Sequence, residues 1–300
     1  MNQRCAFITM DSMEGFVCDD DLAIPALKAL NWEVEKVSWR ARDTDWGRFS
    51  IVILRSPWDY PTDAPRFLAL LEEIEKSGTP LQNPLELVRW NLHKSYLARL
   101  GESGVHIVPT RWLDQPRQQD IQAQFLEFGT DTLVIKPSIG ANAEHAHVLR
   151  ADEIAQVWPG LQPVFEHRQA MLQPFRPAIQ SEGEYSLMFI DGLLSHTIRK
   201  KPREGDFRSQ EEHGADILLV EPESLLVKRA AEAVSALSAR PLYGRADMIR
   251  NPDGDFEVME LELVEPSLYL RMDPGAPERL ARAIVRCAMS QAERTPSRRA

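Results

Sequence analysis

Cysteine is scarce in this chain of 300 residues, and long apolar runs are missing. Its three cysteines (Cys5, Cys18 and Cys287) are odd in number and lack metal-ligand spacing, which argues against a disulfide framework or a zinc site and predicts reduced thiols in a cytoplasmic protein. No apolar run approaches the roughly 18 residues of a membrane-spanning helix, and the N-terminal segment lacks the apolar core of a signal peptide. The net charge of −10 argues against general binding to nucleic acid or to an anionic membrane.

Alternating strand and helix patterns fill the first 85 residues or so. The predicted strands are 4–10, 33–39, 50–56 and 79–83, with helices predicted at 20–30 and 63–76. This alternation predicts a small parallel sheet, in which ligands approach the carboxyl ends of the strands. Arg55 lies at such an end, where a binding role and a surface ion pair are equally good interpretations.

The rest of the chain predicts a mixed α/β (α+β) protein. Further elements are expected as a helical stretch at 84–103, helices at 117–128, 222–239 and 277–292, strands at 132–138 and 170–175, and two hairpins turning at Asp191-Gly192 and at NPDG, 251–254. Changes in pattern near residues 105 and 176 predict three domains, 1–104, 105–175 and 176–300.

The second hairpin carries carboxylates on one face. In VMELELVEP (258–266), Glu260 and Glu262 alternate with apolar residues, as expected of a strand with one polar face. A two-residue loop puts Asp247 on that same face, and one of its two registers places Asp247 opposite Glu260. Hard oxygen ligands at this spacing suit Mg²⁺ or Mn²⁺. A solvated acidic hairpin with Arg245 as partner is the alternative, and a three-residue loop would break the face-matching.

Several cationic or polar segments precede this hairpin. Lys136 ends an apolar strand and is followed by the small-residue loop SIGANAEHA, whose backbone N–H groups can cover phosphate, although no Walker motif is present. Lys94 lies in WNLHKSYLARL and is, taken alone, an ordinary helix-surface lysine. Backbone groups of Gln173 and Phe175 have the spacing of the adenine edge. The basic segment IRKKPREGDFRSQ (198–210) predicts either a phosphoryl-transfer loop or a solvated charged loop.

The order of these segments resembles that of the ATP-grasp superfamily. IRKKPREGDFRSQ aligns without a gap to the loop I-K-R-Q-A-K-E-G-E-F-R-S-N of ribosomal-protein glutamate ligases. The acidic strand of those ligases and of bacterial glutathione synthetases has E-x-N, where this chain has Glu260-Leu261-Glu262. The resemblance implies an ATP-grasp fold with a parallel-sheet N-terminal domain, a small central domain and an antiparallel-sheet C-terminal domain.

The resemblance also implies roles for individual residues. ATP would be bound by Lys94, Lys136, Gln173, Phe175 and Glu184. One or two Mg²⁺ ions (or Mn²⁺) would be held by Asp247, Glu260 and Glu262. Catalysis would fall to Arg208 and Lys200, and substrate binding to Arg55, Asp59, Gln210 and Ser267.

Three segments narrow the resemblance to one branch of the superfamily. RSPWDY (55–60), NPLELVRWNLHKSYL (83–97) and ELELVEPSLYL (260–270) are similar to the branch of the cyclo-ligase that closes O-ureido-D-serine into D-cycloserine with ATP. This predicts a cytoplasmic ligase acting on a small amino-acid-like molecule through an acyl phosphate, with a homo-oligomer possible and no nucleic-acid or membrane partner. The alternatives are an intermolecular ligase of the glutathione-synthetase or glutamate-ligase type, a kinase, and a non-catalytic nucleotide-binding module.

Overall fold

The computed structural model describes residues 3–140 and 144–294. Three β-sheets occupy successive stretches of the chain, one parallel and two antiparallel, which confirms the predicted mixed α/β class. No helix within the described residues is long and apolar enough to cross a membrane.

The first sheet is parallel, with strand order β2-β1-β3-β4. Its strands are β1 (Gln3–Thr9), β2 (Trp32–Ser38), β3 (Ile51–Ser56) and β4 (Leu81–Gln82), and its helices are α1 (Ala23–Ala29) and α2 (Ala64–Lys76). Helix α2 buries Phe67, Leu70, Leu71 and Ile74, which recur at helical spacing. The strand predicted at 79–83 is reduced to two residues.

The predicted helical stretch at 84–103 is two helices, α3 (Leu85–Asn91) and α4 (Tyr96–Glu102). Lys94 lies in the break between them, and its backbone N–H donates to Ser138 O at 2.8 Å. The hydrogen bond to a distant loop replaces a helical one, so Lys94 is not the helix-surface lysine that its local sequence indicates.

The second sheet is antiparallel, with order β5-β8-β6-β7. Its strands are β5 (Arg111–Leu113), β6 (Thr132–Pro137), β7 (His147–Arg150) and β8 (Ala170–Pro174), and it packs against α5 (Gln118–Phe128) and α6 (Ile154–Phe165). The sequence pattern did not predict α6. The helix contains Pro159 and Pro163, and proline is a signal against a helix interior.

The third sheet is antiparallel, with order β11-β10-β9-β12-β13. Its strands are β9 (Glu184–Ile190), β10 (Leu193–Lys201), β11 (Asp216–Leu219), β12 (Tyr243–Arg250) and β13 (Phe256–Glu262), and the helices of this stretch are α7 (Ala178–Ser181), α8 (Ser224–Ser235) and α9 (Ala276–Arg294). The tight turn predicted between β9 and β10 is confirmed: Asp191 and Gly192 have φ of 52° and 70°, as a type I′ turn requires.

The acidic hairpin β12–β13 reaches the predicted register by a different route. Asn251 donates its N–H to Asp255 O at 2.8 Å, so the loop has three residues and both predicted two-residue loops are wrong. Met248 pairs with Val258, whereas Asp247 pairs with Glu260. Met259 is therefore the extra residue of a β-bulge, which shifts the register by one and restores the predicted face-matching.

The parallel sheet and the third sheet share one hydrophobic core. Phe7 and Ile53 of the first belong to the same buried cluster as Met188 of the third, and α1 packs against α9. The division of the chain into domains at residues 104/105 and 175/176 stays a proposal.

Candidate active site

A cavity of about 200 Å³ lies between the second and third sheets and is bordered by residues of the N-terminal part, among them Trp58 and Tyr60. Twelve of the fourteen predicted site residues line it: Lys94, Lys136, Gln173, Phe175, Glu184, Lys200, Arg208, Gln210, Asp247, Glu260, Glu262 and Ser267. Residues distant in sequence thus converge on one space, because β6, β8, β10, β12 and β13 all direct side chains into it.

Glu260 lies between the two lysines predicted to bind phosphate. Lys94 Nζ is 2.7 Å from one carboxylate oxygen of Glu260, and Lys136 Nζ forms an ion pair with the other. Burial opposes the charge of this carboxylate, but Lys136 and Lys94 hold the pKa of Glu260 far below its usual value. Burial likewise opposes the charge of Lys94, and Glu260 raises the pKa of that lysine.

Arg245 joins the other two carboxylates of the predicted metal set. It donates to Asp247 from Nε and Nη2 at 2.9 Å each, and to Glu262 from Nη2 at 2.5 Å. Burial would raise the pKa of Asp247, but Arg245 and Lys200 hold it at about 2. Arg245 is therefore the partner that the alternative interpretation named, although Asp247 is buried and not solvated.

Lys200 is 2% exposed and lies between acidic residues of neighbouring strands. It forms an ion pair with Glu184 and approaches Asp247 at 3.5 Å, while Ser209 donates to Glu184. Burial opposes its charge, but Asp247 and Glu184 raise its pKa. This position is the first lysine of the aligned KKPREGDFRS motif, so the motif marks a buried charge network and not only a solvated loop.

Arg208 lies where the basic loop meets the cavity. Its Nη2 is 2.8 Å from Asp206, and 37% of its side chain is exposed. The guanidinium lines the cavity as well, so part of its surface is available to a ligand there. Gln210 and Ser267 line the same space.

The backbone N–H of Phe175 is already occupied by the second sheet. Its N–H donates to Thr132 O at 3.0 Å and continues the pairing of β8 with β6. The predicted adenine contact at Gln173 and Phe175 therefore has no use of this N–H, and the contact itself stays a prediction. Phe175 and Gln173 both line the cavity, and the side chain of Gln173 donates to Thr110 at 3.0 Å.

Two predicted substrate residues do not line the cavity. Arg55 is 1% exposed and pairs with Asp20 at 2.8 Å, so its ion pair is buried and not on the surface. Asp59 pairs with Arg40 and accepts from the indole of Trp39 at 2.6 Å. Both side chains have protein partners, and direct contact with substrate stays an untested prediction for each.

Glu265 is a cavity carboxylate that the sequence pattern did not reveal. It lies three residues after Glu262 and faces the same space. Burial, followed by repulsion from Glu262, raises its pKa to about 8. It stands in the segment ELELVEPSLYL, but the alternation that marked Glu260 and Glu262 ends before it, so periodicity gave no signal.

The predicted metal ligands have the right donor chemistry. Within the described residues, no group of three or more histidine, cysteine, aspartate or glutamate side chains is placed to hold a metal ion by itself. Mg²⁺ is usually bound through one or two carboxylates together with substrate phosphates. Burial, followed by repulsion from Asp247 and Glu260, raises the pKa of Glu262 to about 7 against the pull of Arg245. A divalent cation would relieve that repulsion, so the carboxylates fit Mg²⁺ or Mn²⁺.

Known proteins share this architecture. Residues 5–83 match the family model of the N-terminal domain of D-cycloserine synthetase DcsG. The crystal structure of D-cycloserine synthetase DcsG superposes with a TM-score of 0.85 at 26% identity, covering 95% of this chain and 99% of that one. The D-alanine–D-alanine ligase of Bacillus anthracis shares the fold, with a TM-score of 0.70 at 15% identity over 98% of this chain and 100% of that one.

The relationship extends along most of the sequence. The cycloserine biosynthesis protein DcsG of Streptomyces lavendulae is 31% identical over 278 residues, which are 87% of this chain and 91% of that protein. The resemblance to ATP-grasp ligases predicted from the sequence is therefore confirmed. This chain belongs to the DcsG family of ATP-grasp ligases.

Proposed function

We propose that this protein is a cyclo-ligase that closes O-ureido-D-serine into D-cycloserine at the expense of ATP. The observation that carries the proposal is the cavity itself. In a chain of the DcsG family, one space of about 200 Å³ holds the predicted phosphate-binding lysines, the acidic hairpin and the basic loop. The match to proteins named for D-cycloserine synthesis favours one substrate that cyclises over two separate ones.

Lys94 and Lys136 are proposed to bind the phosphates of ATP. A lysine ammonium group has three donors, and each of these lysines uses one on Glu260. Each ammonium group therefore has two donors left for phosphate oxygens, and it can use them without breaking the contact to Glu260. Arg208, where the basic loop meets the cavity, would stabilise the charge that develops on the reacting carboxylate.

Asp247, Glu260 and Glu262 are proposed to hold Mg²⁺. When bound, the ion neutralises charge on the triphosphate, as in other phosphoryl-transfer sites. Lys200 and Arg245 keep Asp247 ionised and fixed, because both pair with it.

The chemistry proceeds in two stages. The substrate carboxylate attacks the γ-phosphorus of ATP, the bond to the β–γ bridging oxygen breaks, and ADP and an acyl phosphate result. The oxygen-bound ureido nitrogen then attacks the acyl carbon, a carbon–nitrogen bond forms, and phosphate leaves. One water hydrolyses the carbamoyl group, which departs as carbon dioxide and ammonia. Because the nitrogen belongs to the same molecule, proximity supplies part of the rate.

Single-substrate turnover tests this function. The purified protein is given MgATP and O-ureido-D-serine alone; we expect ADP release, a five-membered ring without the carbamoyl group by mass spectrometry, and slower turnover of the L-isomer. Glu260→Gln, tested in parallel, reports background ATP hydrolysis.

Other products would identify another function. ADP release only after a separate amine is added would contradict the cyclo-ligase and favour an intermolecular ligase. A stable phosphorylated product would indicate a kinase, and nucleotide binding without turnover a regulatory module. The cytoplasmic location and the homo-oligomer expected from the sequence stay predictions.

A further inference from the structure

Glu265 differs in its partners from the four carboxylates of the predicted ATP and metal sites. Glu184, Asp247, Glu260 and Glu262 each form an ion pair with a lysine or an arginine. Among the residues that the structure describes, no basic nitrogen lies within 4 Å of the Glu265 carboxylate. Glu212, at the rim, also lacks a basic partner but is exposed, so Glu265 is the half-buried carboxyl group of the cavity that the described residues leave without one. A cationic group of a ligand would complete it.

The carboxylate is nevertheless held firmly in place. Tyr60 lies next to its side chain, and the indole N–H of Trp58 donates to its backbone oxygen at 2.8 Å. The next carbonyl, that of Pro266, accepts from Arg55 at 3.2 Å, and that of Ser267 accepts from Arg245 at 3.1 Å. Arg55 thus acts on the site as a positioning residue, through the backbone after Glu265.

The surroundings of Glu265 favour a small organic cation. Trp58 and Tyr60 both line this end of the cavity, and aromatic faces next to a carboxylate are typical of ammonium recognition. We propose that Glu265 binds the α-ammonium group of the amino-acid substrate and thereby selects its configuration at the α-carbon. The assignment rests on the proposed function, because it takes the substrate to be an α-amino acid.

The charges elsewhere in the cavity agree with this orientation. An α-amino acid carries its ammonium group one carbon away from the carboxylate that is to be phosphorylated. Ser267 and Lys94 line the same cavity. Ser267 is two residues after Glu265, and Lys94, which is proposed to bind phosphate, is close enough to lower the pKa of Glu265. With its ammonium group on Glu265, the substrate would have its adjacent carboxylate free to face Lys94. The ureido arm then has one remaining direction, so a D-amino acid and an L-amino acid place it differently.

A pair of substrates tests the assignment. O-ureido-D-serine is compared with 3-(ureidooxy)propionate, which lacks only the ammonium group, in the wild type, in Glu265→Gln and in Glu212→Gln. Glutamine keeps the size of the side chain and an oxygen atom next to Tyr60. Glu212 is an exposed carboxylate at the rim of the same cavity, so its variant controls for a general change in charge. Steady-state kinetics gives KM and kcat, calorimetry gives the affinity for MgATP, and circular dichroism checks the fold.

We expect Glu265→Gln to raise KM for O-ureido-D-serine about ten- to a hundred-fold, which is the effect of losing one charge-assisted hydrogen bond. The variant should also discriminate less than the wild type between the D- and L-isomers of the substrate. KM for the deamino compound and the affinity for MgATP should not change, and Glu212→Gln should match the wild type. Equal effects of Glu265→Gln on both substrates, or no effect on either, would overturn the assignment while the proposed function stands. No turnover of O-ureido-D-serine by the wild type would overturn both.

Discussion

Glu260 and Glu262 are two residues apart on β13, yet their environments are opposite. Glu260 has two lysines to itself, whereas Glu262 shares Arg245 with Asp247 and faces other carboxylates. The folded protein therefore stabilises the charge of Glu260 and resists that of Glu262. This contrast makes the two residues a matched pair for separating stability from function.

The pH dependence of stability should differ between Glu260→Gln and Glu262→Gln. Because the pKa of Glu262 is raised from 4.5 to about 7, the folded state binds more protons than the unfolded state between these values, and the free energy of unfolding falls as pH rises through that window. Glu262→Gln should remove this loss. Its free energy of unfolding, relative to that of the wild type, should therefore rise by about 1–2 kcal/mol between pH 5 and pH 8, after allowance for solvent screening.

Glu260→Gln is expected to behave in the opposite way. The lowered pKa of Glu260 contributes stability that is fully present above its ordinary pKa, so its loss should be the same at pH 6 and at pH 8. Two lysines would lose their shared partner, at a cost of about 3 kcal/mol or more. Urea unfolding of the metal-free, nucleotide-free protein measures both variants, and a parallel pH profile for the two would contradict the assigned environments.

Lys136 offers a second prediction at the residue scale. Lys136→Ala should weaken the binding of ATP about ten- to a hundred-fold, because one charge-assisted hydrogen bond contributes about 1.5–3 kcal/mol. Excess amino-acid substrate should not restore it. Calorimetry with a non-hydrolysable ATP analogue gives the affinity. Lys201→Ala is the control, because Lys201 does not line the cavity. Unchanged affinity in Lys136→Ala would remove this lysine from the ATP site.

At the scale of the element, periodicity predicted much of the sheet and less of its connections. The alternation around Glu260 placed the acidic face of β13 correctly. The three-residue loop and the bulge at Met259 were not predictable from this alternation. Each shifts the pairing of β12 with β13 by one residue, and the two shifts cancel, so the same faces are matched with or without them. The partners of Glu260 were equally hidden, since Lys94 and Lys136 reach it only through the tertiary fold.

The close approach of the backbone before β9 to the end of β10 fixes the position of a site residue, Lys200. Gly183 has φ of 110°, and a Cβ atom there would lie 2.8 Å from the backbone oxygen of Lys200. The start of β9 can approach β10 only because this residue has no side chain. Lys200 is thus kept in register with Glu184, its ion-pair partner.

Gly183→Ala should therefore damage both stability and turnover. Gly254→Ala is the matched control, because Gly254 also has a positive φ, 85°, but a Cβ atom there would have nothing within 4 Å. The control should lose only the conformational cost of about 1–2 kcal/mol. Gly183→Ala should lose more and should lower kcat as Lys200 moves. Thermal unfolding and steady-state kinetics measure the two, and equal losses would show that the close approach is unimportant.

At the scale of the molecule, packing and hydrogen bonds join the N-terminal part and the acidic strand β13 into one structural unit. The parallel sheet shares a hydrophobic core with the third sheet, of which β13 is an edge strand. Polar side chains of the N-terminal part complete the hydrogen bonds of β13 and of the residue after it. Asn83 donates to Leu263 O at 2.7 Å, and the hydroxyl of Tyr96 accepts from the N–H of Leu261 at 2.8 Å. The segment NPLELVRWNLHKSYL supplies these contacts, but nothing in its local pattern predicts them.

Asn91 gives the sharpest test of this unit. Its side-chain amide donates to Leu261 O at 2.7 Å and accepts from Leu263 N–H at 2.8 Å, so it pairs with the backbone on both sides of Glu262. Asn91→Ala would leave two buried backbone groups unpaired, at about 1–3 kcal/mol each. It should also raise the MgATP concentration needed for half-maximal turnover, because Glu260 and Glu262 would lose their fixed positions.

The matched variant is Arg89→Ala, on the same helix, whose partner Glu72 is on the surface of α2. An exposed ion pair contributes little, so this variant should change stability by less than about 1 kcal/mol and leave turnover as it is. Urea unfolding and the MgATP dependence of ADP release compare the two. Asn91→Ala could instead lose stability with an unaltered MgATP dependence. That result would show that the hydrogen bonds of Asn91 stabilise the fold without positioning the acidic strand. The N-terminal part would then act on the site only through its own cavity residues.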